Sequence, residues 1–543
     1  MTVAGLALAG LAGLVLLVAR LHELLHLLQL EHYELARLRV WIDRRRERLQ
    51  LRELGLVAAI AGLAATGSVL AQPVLTIVAG GLGVVLAWLL AAPRLRRRQA
   101  KPLVFTARAR RLFGTALVLE ATAVVVIALL CGTLGGPAAI LGAGLAVAMA
   151  HIGADAFLGL AGRVLAPLQA IDNGRYERRA RGRLRAVAPE VVGITGSYGK
   201  TTTKACIAAV AALRGPAYPT PASFNSRLGV IRAINEGLEG RHRTFVVEMG
   251  AYRAGDIAEL CELVEPSVGV LTAIGPAHLE RFGSLAAIER AKGELGAALP
   301  HDGLFITRAD DGACRRAGDR ADCRTVLFAP DPHPDAEVFA EEITLAEGRT
   351  RFTLCLRGPG ETERVAVRAQ LLGRHNVANL LAAAAYGFGR NLPAATIARA
   401  LAGVSPPAHR LAPIVNRAAG IVVIDDAYNA NPEGAAAALD VLRAHPAGRR
   451  LLVTPGMVEL GEREVEENVA LGSRAAAVCD LVILVGESRT RPIREGLERH
   501  DFPAESVLVV EDSTAAAELL ARTTQRGDVV LFENDLPDLY SAG

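Results

Sequence analysis

No two cysteines in this chain are spaced as Cys-x-x-Cys; the seven, at 131, 206, 261, 314, 323, 355 and 479, are scattered and odd in number. That pattern suggests neither a zinc site nor a disulfide framework, and it puts the charged part of the chain in a reducing compartment. Net charge is also small, +4 over 543 residues, and the basic residues gather beside apolar runs, so no nucleic-acid partner is implied. The first apolar run, Thr2 to Ala19, is preceded by no basic segment and followed by no obvious cleavage site. It is expected to be a retained span rather than a signal peptide.

What the chain does have divides into two materials. The first ~160 residues are dominated by Leu, Ala, Val and Gly, and the rest is the ordinary mixture of α/β domains. Five apolar segments (2–19, 54–70, 73–92, 112–130 and 137–152) have roughly the length that crosses a ~30 Å hydrocarbon core. Stretches 37–52, 94–111 and 175–185 are strongly basic, while 71–72 and 131–136 carry no positive charge. Five spans with the basic loops inside predict a multi-pass protein of the cell membrane, with its N-terminus outside and its later domains cytoplasmic. Leu21, Leu24, Leu25, Leu28, Leu35 and Leu38 recur at helical spacing, as expected of an amphipathic helix on the inner face or of a helix packed on the polar domains. Glu120, His151 and Asp155 are ionisable groups within or beside the apolar segments.

Residues 190–194 form a short apolar run, and 201–213 read as a helix. Between them stands TGSYGKTT. Strand, glycine loop and helix is the context of a nucleotide-phosphate grip, although Ile194 occupies the first glycine of the usual GxxxxGK[ST] pattern. Thr195, Gly196, Ser197, Gly199, Lys200, Thr201 and Thr202 are the expected ATP contacts: the glycines admit the backbone to the phosphates, Lys200 reaches the β and γ phosphates, and Thr201 ligates Mg²⁺.

Five further stretches follow in order: FNSRLGV (224–230), VVEMGAYRAGDI (246–257), AIGPAHLERFGSLAAIERAKGE (273–294), GRHNVANLLAAA (373–384) and IDDAYNANPEG (424–434). With TGSYGKTT they give the sequence a resemblance to the Mur ligase family over about 188–475, closest to its D-alanyl-D-alanine-adding branch. The resemblance implies a ligase that phosphorylates a carboxylate with ATP and joins the acyl phosphate to an amine in cell-envelope synthesis. It implies catalytic roles for Lys200, His278 and Lys292, and Mg²⁺ ligation by Thr201, Glu248 and His278, with Lys292 carbamoylated to face the metal. It further implies nucleotide contacts from Asn376, Asn379, Arg410 and Asp426, and substrate contacts from Asn225, Ser226, Arg227, Tyr428 and Asn429.

The expected architecture is an α-helical membrane region (1–162), a basic cytoplasmic linker (163–187), an α/β P-loop domain (188–405) and a smaller Rossmann-like domain (406–543), the last supported by strand-like runs at 451–456, 481–486, 506–510 and 529–534. Family members usually carry a UDP-sugar-binding domain where this chain has its apolar segments. LFENDLPDLY (531–540) also replaces a basic Lys-Gly-Ser run with Glu533, Asp535 and Asp538. These departures suggest a carboxylate substrate held at the lipid bilayer, on a lipid carrier or polymer, and an amino acid or dipeptide as the amine. D-alanyl-D-alanine addition to a soluble precursor, or a poly-γ-glutamate-type ligase, are the alternatives within the enzyme class. An ATP-driven transporter is the alternative outside it, and the Leu-Ser-Gly-Gly signature that it would carry is absent.

Overall fold

A computed structural model of the chain describes residues 2–31, 33–35, 38–39, 42, 55, 57–59, 61, 65–66, 73–96, 103–133, 136–277, 279–346, 348–428, 430–446, 448–458 and 460–534. It forms two compact units that part between Gly174 and Arg175.

The first unit is helical: Thr2–Leu30, Pro73–Arg96, Ala107–Gly132, Gly136–Ile152 and the first part of Ala154–Val187. Among the described residues three stretches are long and apolar enough to cross a membrane, Leu11–Leu30, Ala107–Cys131 and Ala154–Val187; Gly81–Leu90 and Ile140–Ile152 are shorter. The expected span 54–70 lies largely outside the described residues. The leucine stripe is divided: Leu21, Leu24, Leu25 and Leu28 belong to the end of helix Thr2–Leu30, while Leu35 and Leu38 are helical residues beyond it. Leu21, Leu24, Leu25 and Leu28, at i, i+3, i+4 and i+7, make one packing stripe on Thr2–Leu30 and are buried within the unit, as is Leu38. Arg108 and Arg111, read as loop residues, lie in the first turns of Ala107–Gly132, whose N-cap Thr106 accepts from Ala109 N. Arg111 pairs with Asp172 at 2.9 Å.

The linker is also helix rather than loop. Ala, Leu, Arg and Glu are good helix formers, and Glu177 with Arg181, four residues apart and 3.0 Å from each other, adds an ion pair along one face. Its last turns belong to the second unit: Ala180 is fully buried in a core with Val230, Ile231 and Ile234, and Leu184 and Val187 pack against it. A chain cut after Val187 therefore loses part of a core, whereas one cut after Gly174 keeps it. Expressed in parallel, 175–543 is expected to be soluble with a cooperative thermal transition and 188–543 to melt lower; equal melting temperatures would contradict this.

In the second unit, nine strands form one sheet in the order β2-β3-β1-β4-β5-β6-β7-β8-β9, with β1 Glu190–Thr195, β2 Ala217–Pro219, β3 Thr244–Glu248, β4 Val268–Leu271, β5 Leu304–Arg308, β6 Arg324–Ala329, β7 Val338–Ala346, β8 Arg349–Leu356 and β9 Glu363–Ala369. β2 to β7 pair in parallel, and β7, β8 and β9 are antiparallel. The central stretches of the parallel strands, such as Phe245–Val247 and Val268–Leu271, are apolar because helices cover both faces. Lys200–Ala211 and Arg374–Gly389 lie in one core, where the run Ala382–Ala385 lets the backbone approach closely; Arg227–Gly237, Asp256–Val264 and Leu285–Ala297 contribute to the other. The chain leaves β1 for β2 and β3 on one side and resumes at β4 on the other. The carboxyl end of β1 is therefore the reversal point at which such sheets bind ligands.

A second sheet has the order β10-β11-β15-β12-β13-β14, with β10 Ala412–Asn416, β11 Ile421–Asp426, β12 Arg450–Thr454, β13 Leu481–Val485, β14 Val507–Val510 and β15 Val529–Glu533. All pairs are parallel except β10 with β11, so the expected small doubly wound sheet is present.

Candidate active site

β1 ends in the loop Thr195–Gly199. Gly196 (φ 148°) and Gly199 (φ 77°) occupy conformations that favour glycine, and a Cβ on either would collide with Thr272 Oγ1 or Asn379 Oδ1. Helix Lys200–Ala211 starts at Gly199 with no side-chain cap, which leaves its first amides for an anion. Loop walls come from polar contacts: Thr195 Oγ1 donates to Met249 O at 3.1 Å, and Ser197 Oγ donates to Gly275 O at 2.9 Å. Lys200 Nζ donates to Gly196 O at 2.6 Å, folded over its own loop. Thr202 is buried. A glycine-lined cradle, an uncapped helix and an inward lysine fit a nucleotide triphosphate.

Beside this loop, register pairs Ile194 of β1 with Glu248 of β3, so the last residue of β3 is a carboxylate at the mouth of the cradle. Thr201 Oγ1 donates to Glu248 Oε2 at 3.1 Å, and Asn225 Nδ2 donates to Glu248 Oε1 at 3.2 Å. Lys204 Nζ also reaches Glu248 Oε2, at 3.0 Å, in an ion pair that is almost completely buried. Hydroxyl and carboxylate oxygens are the hard donors that suit Mg²⁺. His278, expected as a further ligand, lies outside the described residues, as does Asn429.

Lys292, on helix Leu285–Ala297, is only 2 % exposed. Burial holds its ammonium well below the usual lysine range, and the charge of Lys200 lowers it further. Burial likewise lowers Lys200, opposed by Glu248. A helix lysine that sequence alone would place in solvent is thus an interior amine beside the phosphate grip.

Asn376 and Asn379 are buried under the loop. Asn379 accepts from Thr203 Oγ1 at 3.1 Å and donates to Asn376 Oδ1 at 2.9 Å, and Asn376 donates to Leu372 O at 2.8 Å. Both therefore brace the P-loop helix from behind. Of the loop 224–227, Asn225 faces Glu248 and Ser226 caps helix Arg227–Gly237 by accepting from Gly229 N. Arg227 turns the other way, to Glu177.

From the second sheet, the Arg410 guanidinium stacks on Tyr428 at 4.0 Å, and its charge reaches both Lys200 and Asp426. Asn431 caps the helix that Pro432 opens. Asp426 Oδ1 accepts from Leu411 N at 3.0 Å. It is paired in register with Glu533 on β15, so two acidic side chains stand side by side in the interior. Burial raises both: Asp426 to about 6, and Glu533, which also faces the charge of Asp426, well above the carboxylate range. Glu533 is thus a buried carboxyl in which the protonated form is favoured, not a surface anion; Asp535 and Asp538 lie outside the described residues. Because the unfolded chain ionises Glu533 near pH 4 and the folded chain does not, the native state loses stability as pH rises above that value. Glu533→Gln is expected to gain on the wild type between pH 5 and 8, by up to about 1.4 kcal/mol per pH unit. Melting curves across that range test it, and a constant difference would refute the raised value of Glu533.

Lys204 was not singled out from the sequence, although a signal existed. The chain has only four lysines, at 101, 200, 204 and 292, against dozens of arginines, and three of the four converge on this site. An ammonium is a compact point charge with three donors, and a guanidinium has a planar fork that does not substitute for it in a tight cradle.

Comparison with known proteins agrees with this geometry. Residues 194–387 match the Mur ligase middle domain, and residues 409–533 match the Mur ligase, glutamate ligase domain. The chain is 35% identical over 371 residues to the UDP-N-acetylmuramoyl-tripeptide–D-alanyl-D-alanine ligase of Mycobacterium leprae, covering 63% of this chain and 70% of that one. It is 34% identical over 335 residues to the Escherichia coli ligase of the same name, covering 61% and 72%. The crystal structure of MurF ligase from Thermotoga maritima in complex with ADP superposes with a TM-score of 0.59 at 27% identity, covering 68% of this chain and 81% of that chain.

Proposed function

The chain belongs to the Mur ligase family, whose members are ATP-dependent enzymes that form C–N bonds, and from that premise we propose that it joins the carboxylate of a muramoyl-peptide precursor to the amine of a D-alanyl-D-alanine type dipeptide at the cell membrane. The observation that carries the reading is the convergence of Lys200, Thr201, Glu248 and Lys292 at the carboxyl ends of β1 and β3, in a chain 35% identical to a ligase of that name.

A carboxylate is a poor electrophile, and phosphorylation by ATP converts it to an acyl phosphate that an amine attacks, releasing phosphate. The γ-phosphoryl group needs positioning and charge neutralisation. Lys200 supplies one positive charge on leaving Gly196 O for the phosphate, and the helix amides after Gly199 supply dipoles. Thr201 and Glu248 would hold Mg²⁺, which supplies further neutralisation of the triphosphate. Lys292 has the chemistry that carbamoylation requires, because CO₂ reacts with an uncharged amine and burial favours that form. The resulting anion would be balanced by Lys200. Arg410 and Asp426 bring the second sheet to the nucleotide, which helps exclude water from an acyl phosphate.

The three apolar stretches long enough to cross a membrane support membrane attachment, the basic stretches beside the apolar segments support ligase domains on the cytoplasmic side, and from that placement we infer a lipid-linked carboxylate substrate. The test uses the full chain in detergent with ATP and D-alanyl-D-alanine, offered either UDP-N-acetylmuramoyl-tripeptide or a membrane extract from which soluble precursors have been washed. Mass spectrometry is expected to find the dipeptide adduct, with faster ADP release on the extract. Equal rates on the two would sink the membrane-held substrate; an adduct on neither would sink the ligation reading.

A further inference from the structure

Helix Ala154–Val187 ends as a component of the ligase domain. From Arg175 on it lies along helix Arg227–Gly237, with Ala180 fully buried against it. Polar ties fix the register. Asn235 Nδ2 donates to Tyr176 O at 3.0 Å, Arg183 Nη1 to Asn235 O at 2.8 Å, and Arg181 Nη1 to Glu262 O at 2.7 Å. Arg227 Nη2 meets both oxygens of Glu177 at 2.8 Å, and Nη1 donates to Glu259 O at 2.7 Å.

What lies next to Arg227 gives this clamp its meaning. Ser226 caps the helix, and Asn225 is held on two sides: its side chain donates to Glu248 Oε1 at 3.2 Å, and its carbonyl accepts from Gly250 N at 2.8 Å. From Glu177 the contacts therefore run through Arg227, Ser226 and Asn225 to the carboxylate beside Thr201. Glu177 and Arg227 are partly exposed, so their ion pair adds little to global stability. Arginine held through both carboxylate oxygens fixes orientation, and misplacement of a substrate-facing loop by about 1 Å costs far more in turnover than in folding.

We propose that Glu177 is a positioning residue of the ligase: through Arg227 it sets where Ser226 and Asn225 stand against Glu248, and so where the carboxylate substrate lies. The proposal rests on the reading of 225–227 as the carboxylate-facing loop. It also extends the catalytic unit beyond the matched family domains, which begin at residue 194, to a helix that starts in the apolar unit.

The test compares the full-length wild type with Glu177→Ala and with the exchange Glu177→Arg/Arg227→Glu. Each is assayed in detergent with ATP, D-alanyl-D-alanine and UDP-N-acetylmuramoyl-tripeptide, alongside amide hydrogen exchange. Glu177→Ala is expected to raise KM for the tripeptide on the order of tenfold, with KM for ATP and melting temperature unchanged, and to speed exchange at 224–230 but not at 196–203. The exchanged pair is expected to recover part of the loss. Unchanged tripeptide KM despite faster exchange at 224–230 overturns the positioning role, and a parallel rise in KM for ATP or a fall in melting temperature does the same by making Glu177 merely structural. If the wild type does not turn over this probe, the substrate reading has failed separately, and hydrogen exchange decides the clamp: no change at 224–230 overturns it, and acceleration confined there sustains it.

Discussion

Lys200→Ala is expected to lower the rate of ADP release by on the order of 10³-fold while leaving the chain folded. The lysine is the one cation inside the loop, and its Nζ already rests on Gly196 O, within the cradle that the phosphates would occupy. Removing one such electrostatic partner in a water-excluded site removes about 3 to 4 kcal/mol of transition-state stabilisation. Folding responds in the opposite sense. Burial lowers the Lys200 ammonium from its ordinary value, so holding it charged at neutral pH costs the native state stability, and alanine relieves that cost. The variant should therefore melt at or above the wild-type temperature while being almost inactive. Lys200→Arg should not rescue, because the planar fork does not fit a loop closed by Thr272 and Asn379. A loss of less than tenfold in the alanine variant would show that the loop does not carry phosphoryl transfer.

Lys292→Ala is the second large effect. Loss of the carbamate removes the anion expected to face Mg²⁺, and turnover should fall to near background. Formate or acetate at high concentration should restore part of it by supplying a carboxylate to the vacated volume. In the wild type the same idea predicts a dependence on dissolved CO₂. With the Lys292 ammonium held well below its usual range, the uncharged fraction that reacts grows as pH rises, so degassed enzyme should lose activity most at low pH and regain it with bicarbonate. Full activity in the alanine variant would remove the carbamate from the mechanism, and activity indifferent to CO₂ would weaken it in the same direction.

Much of the site was legible in the sequence because its parts are local. A glycine at positive φ, a lysine and a threonine at the start of a helix, and an acid at the end of an apolar strand each sit in a short segment whose backbone is fixed by neighbours within a few residues. Pattern therefore put the glycine loop between a strand and a helix and Glu248 at the end of a strand, as the structure has them. Asn376 and Asn379 were legible as a pair, but their burial behind the loop was not. That depends on how closely the alanine-rich helix Arg374–Gly389 approaches the helix of the grip. The basic stretch 175–185 misled for the same reason: charge density suggests a solvated linker, whereas Arg181 and Arg183 donate to carbonyls on two packed helices, and Arg181 also pairs with Glu177 on its own helix.

By itself the sequence determined that the chain has an apolar helical region, a phosphate loop between a strand and a helix, and a second set of alternating strands and helices, since periodicity and turn chemistry are properties of consecutive residues. Only the tertiary structure decided that Lys204 shares Glu248 with Thr201, that Glu533 is buried opposite Asp426, and that Lys292 is an interior amine, because each depends on removal from water by elements far away in the chain. Burial sets the cost of a charge, and no residue carries its burial in its own name.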